Sequence, residues 1–246
     1  MGKVWIGTSG WNYGHWRGRF YPIDLPEKRW LEFYAERFDT VELNSPFYRI
    51  PSEASFKSWY RRTPEGFVFS VKASRLITHV RKLRQAQQEL EWFFSVVYAL
   101  GEKLGPILFQ TPPSLRADLK LLEDFLSCLP KGHRYAFEFR HPSWFDVKVY
   151  ELLEAFGATL CVADSPRYPK EEVVVGPFLY LRLHGSKRLY ASLYSPEELE
   201  KWADFIRFAF KRGVKEVFCY FDNDYEAYAV RNALELKELL YNLRNS

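Results

Sequence analysis

Short apolar runs alternate along the chain with stretches whose apolar residues return every three or four positions. The runs predict strands at 4–7, 40–44, 67–72, 106–110, 135–140, 159–164, 178–184 and 216–222. Between most of them the period turns helical. Leu31, Tyr34, Ala35 and Phe38 share one helix face, as do Leu90, Phe93, Phe94 and Val97, and as do Leu199, Trp202, Ala203, Ile206 and Phe210. Helix starts are marked by Pro26-Glu27, by Ser52 with Glu53, and by Ser195-Pro196-Glu197. Repeated strand–helix units require parallel strands joined by crossovers. Eight such units in 246 residues predict a single α/β domain, a (β/α)8 TIM-type barrel spanning 1–246. The barrel is expected to be irregular between strands 6 and 7, because 165–176 carries prolines and no amphipathic period.

Polar residues break the apolar pattern mainly at the strand ends. Glu42 and Asn44 fall on one strand face, Glu138 and Arg140 on another, and Arg182 and His184 on a third. Their alternates, Val41, Leu43, Phe137, Phe139, Leu181 and Leu183, are apolar and suit packing against helices. The polar face is therefore expected to point into the barrel, joined by Lys72, Gln110, Asp164 and Asp222 at the same level. C-terminal strand ends are where barrels of this type carry their chemistry. A lattice of structural ion pairs is the competing explanation, but an apolar filling is usually as stable as buried pairs, so clustered charges call for another reason.

The loops add two features. Residues 8–19 mix glycines, hydroxyls, aromatics and arginines, with Trp11 able to stack on a ring of a ligand. After the third strand, Arg75, His79, Arg81, Lys82 and Arg84 follow Lys72 with no acidic residue among them. That run suits an anionic or phosphate-bearing ligand, or else is a solvated face balanced by Glu89 and Glu91.

Composition narrows the field without deciding it. The net charge of +4 is too mild to imply polyanion binding by the whole surface. Cys128, Cys161 and Cys219 have no CxxC spacing, and the latter two sit in apolar strands, so buried free thiols are expected for them. The first strand begins almost at once, with no leader-like stretch and no apolar run of membrane-spanning length, so a cytoplasmic protein with no membrane partner is expected. Abundant Lys, Arg and Glu beside a single Met lean toward a thermophilic source. GxGxxG after a strand, GxxxxGKS, HExxH and GxSxG are all missing. Of the five histidines, His184 and His141 are the ones expected near the strand ends, so a histidine-rich metal site is not expected.

With these residues in view, the chain resembles the domain of unknown function 72 family, the YecE-like proteins. The resemblance rests on Gly7-Thr8-Ser9-Gly10-Trp11, Phe20-Tyr21-Pro22, Glu42-Leu43-Asn44 with Phe47-Tyr48, Lys72 with Thr78-His79, Phe109-Gln110, Glu138-Phe139-Arg140-His141 with Trp144, Ala163-Asp164, Arg182 with His184-Gly185, and Asn232-Ala233. It implies a TIM-barrel-like fold and no particular activity. One departure is visible: the family commonly has Phe-Asn-Asn after the last strand and a glycine soon after. This chain has Phe221-Asp222-Asn223 and then Glu226-Ala227, which ranks Asp222 below Glu42 and Glu138.

These residues predict an enzyme using general acid–base, hydrolase-like chemistry on an anionic, sugar- or phosphate-containing substrate. Glu42 and Glu138 are the candidate acid and base and His184 a proton shuttle. Trp11, Asn44, Lys72, Gln110, Arg140, Asp164, Arg182 and Asp222 are the candidate substrate contacts. A second reading is a metal-assisted phosphodiesterase or sugar isomerase, with Mg or Mn held by Glu42, Glu138, Asp164 and Asp222 against the opposition of Lys72 and Arg182. A third is a nucleic-acid or phosphorylated-ligand binder without chemistry.

Overall fold

The computed structural model describes residues 2–242. Eight strands are found: β1 (Lys3–Thr8), β2 (Thr40–Leu43), β3 (Val68–Lys72), β4 (Leu104–Gln110), β5 (Tyr135–Glu138), β6 (Thr159–Asp164), β7 (Leu179–Leu183) and β8 (Glu216–Phe221). Their order in the sheet is β1-β8-β7-β6-β5-β4-β3-β2. With parallel neighbours and helices between strands, the fold is a (β/α)8 TIM-type barrel. The helices are α1 (Trp30–Ala35), α2 (Ser45–Tyr48), α3 (Glu53–Arg62), α4 (Gln87–Val97), α5 (Leu119–Ser127), α6 (Val147–Ala155), α7 (Pro196–Lys211) and α8 (Tyr228–Asn242). No helix joins β6 to β7, as the prolines and missing period of that segment predict. The short α2 was not expected from the pattern.

Contacts divide the chain into two compact units: residues up to 41 with 162–174 and 178 onward, and residues 42–161 with 175–177. In the first unit, β8 lies between β1 and β7, with Thr8 opposite Phe221 and Leu183 opposite Phe221. Gly7 has to be glycine, because a Cβ there would stand 2.3 Å from the Thr40 carbonyl oxygen. Helix α7 begins with a capping box: Ser195 Oγ accepts the Glu198 N–H and Glu198 accepts the Ser195 N–H.

In the second unit, β4 and β5 pair so that Gln110 lies directly opposite Glu138. This register fixes the site described below. On the other strand face, Phe109 and Phe137 pack with Phe125 of α5, with ring centroids of Phe109 and Phe137 at 5.3 Å and of Phe109 and Phe125 at 5.0 Å. Lys103 is 5% exposed, and its ammonium donates to the Tyr60 carbonyl at 2.6 Å, the Thr63 carbonyl at 2.7 Å and Thr63 Oγ1 at 3.2 Å. A buried cation thus closes the C-terminal end of α3, where unpaired carbonyls gather. Lys103→Met fills the same space but strands those acceptors. It is expected to lower the unfolding free energy by about 2–3 kcal/mol, read from the midpoint of urea denaturation.

Candidate functional site

In the second unit, strand alternation and the β4–β5 register carry several predicted residues to neighbouring C-terminal strand ends. Glu42 is 0% exposed on β2, Lys72 8% on β3, Gln110 2% on β4 and Glu138 1% on β5. Glu138 Oε1 accepts Gln110 Nε2–H at 2.8 Å and Arg140 Nε–H at 2.9 Å. Two donors on one oxygen hold the carboxylate as an acceptor and fix its plane. Asn44 follows β2, and its Oδ1 is buried without a hydrogen-bond partner. Thr111 Oγ1, just beyond Gln110, is in the same condition. Buried polar atoms without partners are rare and mark places where a ligand or water can complete the set.

Lys72 Nζ lies 4.0 Å from the centroid of Phe47, a residue of α2. The Phe47 ring meets His79 edge to face, centroids 5.0 Å apart. His79 sits in a single π-helical turn, Leu76–Val80, of the kind that often re-aims a functional side chain. Burial first, then the cations Lys72, Arg140 and Arg75, pull its pKa from the ordinary 6.5 down to about 4, against the smaller opposing pull of Glu138. His79 is therefore neutral at neutral pH. The unfolded chain takes up this proton near pH 6.5 and the folded one only near 4. The folded state is thus penalised as pH falls through that window, most fully below it, and stability rises with pH across it. His79→Gln removes the group, so its urea midpoint is expected to depend less on pH between those values than that of the wild type.

The rest of the basic run divides. Arg81 pairs with Glu89 at 2.8 Å and Arg84 with Asp118 at 3.5 Å. Arg75 is exposed and Lys82 half-buried, and neither has an ion pair among the described residues. His141, expected near the strand ends, caps a local turn, its Nδ1 accepting the Ser143 N–H at 3.1 Å.

In the first unit, residues at the ends of β7 and β8 are bonded to one another. His184 Nδ1 lies 2.8 Å from Asp222 Oδ2, and Arg182 Nη2 donates to the same oxygen at 3.2 Å. Arg182 also reaches His184 Nε2 at 3.3 Å and Ser9 Oγ at 3.4 Å. A neutral ring meets all of these at once by donating Nδ1–H to Asp222 and accepting from Arg182 at Nε2. Both nitrogens are then engaged, so moving a proton through His184 requires one bond to open. Asp222, ranked low on the family pattern, is bonded to both of the other members.

Asp164, at the end of β6, accepts Lys170 at Oδ1, 2.9 Å, and the Tyr194 hydroxyl at Oδ2, 2.7 Å. Beside it is a cavity of about 300 Å³ lined by Asp164, Lys170, Glu172, Ser186, Tyr194 and Trp202, among others. Ser186 Oγ is buried there without a partner. Tyr194 is pinned by Asn232, which accepts its N–H at 3.0 Å and donates to its carbonyl at 3.1 Å. Asn223 donates its amide to Ser192 O at 2.9 Å and to Asn232 Oδ1 at 3.0 Å. Trp11 is half-buried, and its carbonyl accepts the Tyr21 hydroxyl at 2.6 Å.

Lys170 and Tyr194 were missed from the sequence. Lys170 stands in an aperiodic loop and Tyr194 before a helix cap, and neither position carries a pattern. Among the described residues, no three of His, Cys, Asp and Glu gather in a cluster able to hold a metal ion. Nor is any helix among them long and apolar enough to cross a membrane. Cys161 and Cys219 are buried free thiols, as expected, and Cys128 is exposed.

A family model described as "Protein of unknown function DUF72" matches residues 5–245. The UPF0759 protein YunF of Bacillus subtilis (strain 168) is 28% identical over 274 aligned positions, covering 96% of this chain and 94% of YunF. Among solved structures, a DUF72 family protein of Thermotoga maritima MSB8 superposes with a TM-score of 0.87 at 32% identity, covering 97% of this chain and 99% of that one. A DUF72 family protein of Enterococcus faecalis V583 shares the fold with a TM-score of 0.83 at 19% identity, covering 97% and 96%.

Proposed function

We propose, of a chain that belongs to the DUF72 family, that it is an enzyme of general acid–base, hydrolase-like chemistry acting on an anionic substrate of sugar or phosphate type. The observation that carries this reading is the arrangement at the ends of β2 to β5. Two fully buried carboxylates, Glu42 and Glu138, share one compact unit with Lys72, Gln110 and Arg140. A purely structural role would be met as well by apolar residues. Glu42 and Glu138 divide the roles of proton donor and acceptor. Lys72 and Arg140 offset negative charge brought by the substrate or developing on it, and Gln110 fixes the Glu138 carboxylate. The alternative of a nucleic-acid or phosphorylated-ligand binder without chemistry draws on Arg81, Lys82 and Arg84. It is less well supported, since Arg81 and Arg84 already face Glu89 and Asp118.

The test is hydrolysis of a panel of chromogenic aryl glycosides and aryl phosphate mono- and diesters by the wild type, Glu42→Gln and Glu138→Gln. Each substitution keeps the side chain's size and one acceptor oxygen while abolishing its titration. The expected result is turnover of one substrate class by the wild type and a loss of about 10²- to 10⁴-fold in kcat in each variant, with cooperative thermal unfolding retained. Wild-type rates in both variants, or a folded wild type that binds panel members and turns over none, overturn the proposal.

A further inference from the structure

We propose that the cavity beside Asp164 is a binding site for a neutral polyhydroxylated ligand, a single sugar ring. The inference goes beyond the reading above and does not rest on it, since none of Glu42, Lys72, Gln110, Glu138 and Arg140 lines this cavity.

The cavity lies within the first unit, among the end of β6, the loops that follow β6 and β7, and the first two turns of α7. Its volume, about 300 Å³, stands at the low end for small-ligand sites and suits one ring better than a chain of them. One wall is pinned from behind. The Tyr194 hydroxyl donates to Asp164 Oδ2 at 2.7 Å and accepts the Gly185 N–H at 3.0 Å. Burial first, then the charge of Asp164, raises the Tyr194 pKa, so the hydroxyl keeps the hydrogen that it gives to Asp164. Asn232 holds the Tyr194 backbone at both its N–H and its carbonyl. Side chains fixed in this way lose little freedom when a ligand arrives.

Several groups in the walls have bonding capacity left over. Ser186 Oγ is buried without a partner, which leaves one donor and two acceptor positions open. Trp202 is 6% exposed, and its Nε1–H has no hydrogen bond among the described residues. Lys170 gives one hydrogen to Asp164 Oδ1 and one to Glu172 Oε1, both at 2.9 Å, and keeps a third. Glu172 therefore has a second oxygen to offer, and so does Glu198, whose Oε2 accepts the Ser195 N–H. A clasp between Lys170 and Asp164 would by itself account for the anchoring of the loop after β6. It gives no use to the Ser186 hydroxyl or the Trp202 N–H.

Charge decides the class of ligand. The lining carries three carboxylates, Asp164, Glu172 and Glu198, and two ammonium groups, Lys170 and Lys201. An anion filling the cavity meets the carboxylates. A cation meets the two lysines, and the Trp202 ring, which would otherwise draw it, already has Lys170 Nζ 5.3 Å from its centroid. A hydroxyl both donates and accepts. Neighbouring hydroxyls on one ring can turn their hydrogens to the carboxylates and their oxygens to Lys170, Trp202 and Ser186. Hydrogen bonds to charged partners are the stronger kind.

The Trp202 indole reports on the site. In nitrogen-15 spectra its signal is the one lost in Trp202→Phe. The full chain is titrated with the methyl glycosides of glucose, galactose, mannose and xylose, and separately with methylammonium and with sulfate. The expected result is a saturable shift of that signal with at least one glycoside and with neither ion at the same concentration. Ser186→Ala removes the open hydroxyl and no bond between protein groups. It is expected to weaken that glycoside roughly three- to tenfold while the Tm stays at or above that of the wild type. A hydroxyl placed for folding would lower the Tm and leave affinity unchanged. A shift with methylammonium or sulfate and with no glycoside makes the cavity an ion site and overturns the proposal. Absence of a shift with every glycoside overturns it as well, as does a Ser186→Ala variant that binds the glycoside as tightly as the wild type. None of these measurements uses turnover, so they stand or fall separately from the hydrolase reading.

Discussion

Glu138→Ala is expected to lower the unfolding free energy by about 3–5 kcal/mol, the scale for breaking one half of a buried ion pair. The Glu138 side chain is 2% exposed and that of Arg140 10%. The substitution removes the oxygen that both Arg140 Nε and Gln110 Nε2 bond. It leaves a guanidinium with little access to water and an amide donor facing a void. Glu138→Gln keeps an oxygen at the same place and loses only the charge, so it is expected to cost roughly 1–2 kcal/mol. The informative comparison is the double variant Glu138→Leu/Arg140→Met. Where a buried pair is replaced by apolar residues of similar volume, stability is often unchanged or raised. Equilibrium urea denaturation is therefore expected to place the double variant near the wild type and well above Glu138→Ala. If it does so while hydrolysis is lost, the pair is present for chemistry and not for folding. A Glu138→Ala variant within 1 kcal/mol of wild type would instead show Arg140 reaching solvent, and a buried clamp at this strand end would be wrong.

The strand ends were legible because a strand has a period of two, and a polar residue two places from another must share its face. Glu138 with Arg140, and Arg182 with His184, were therefore paired correctly by counting alone, and both pairs are bonded. The strands end within a residue or two of where the apolar runs stop. What counting could not supply is what lies across from each strand end. Gln110 meets Glu138 through a register set by the whole β4–β5 pairing. Arg84 finds Asp118 across 34 positions of sequence. The neutrality of His79 comes first from burial and then from Lys72 and from Arg140, which follows β5, two strands further along the sheet than β3. The π-helical turn that carries His79 has no periodic signature at all. The departure from the family pattern after β8 misled in one respect. Glu226 and Ala227 adopt φ of 55° and 60° where a glycine would be at ease. The turn is tied down by Arg19, whose Nε donates to Glu226 at 2.7 Å, and by the Trp16 indole donating to the Asp224 carbonyl at 2.9 Å. The missing glycine is thus met by side-chain contacts and is no sign that Asp222 has lost its place.

Asp222→Ala is expected to have an effect of the same size, about 3–5 kcal/mol, and for a chain of this length a fall of roughly 10 °C in Tm. One carboxylate oxygen, Oδ2, serves both His184 Nδ1 and Arg182 Nη2. Both partner side chains are 1% exposed. Removing it leaves a guanidinium and an imidazole buried without the carboxylate that both bond. Asp222→Asn puts at this position the residue that the family pattern commonly has. If the amide oxygen occupies the Oδ2 place, it accepts from both donors and the His184 tautomer is unchanged. If the amide nitrogen faces His184, the ring must carry its hydrogen on Nε2, where Arg182 Nη1 already points a donor. The oxygen-inward orientation avoids that clash, so Asp222→Asn is expected to cost about 1–2 kcal/mol, well short of the alanine variant. Urea denaturation of the two variants side by side, with nitrogen-15 spectra of His184, checks both parts. An asparagine variant as unstable as alanine, or a His184 ring protonated on Nε2 in either form, would show that the tautomer in this cluster is not set by a shared acceptor oxygen.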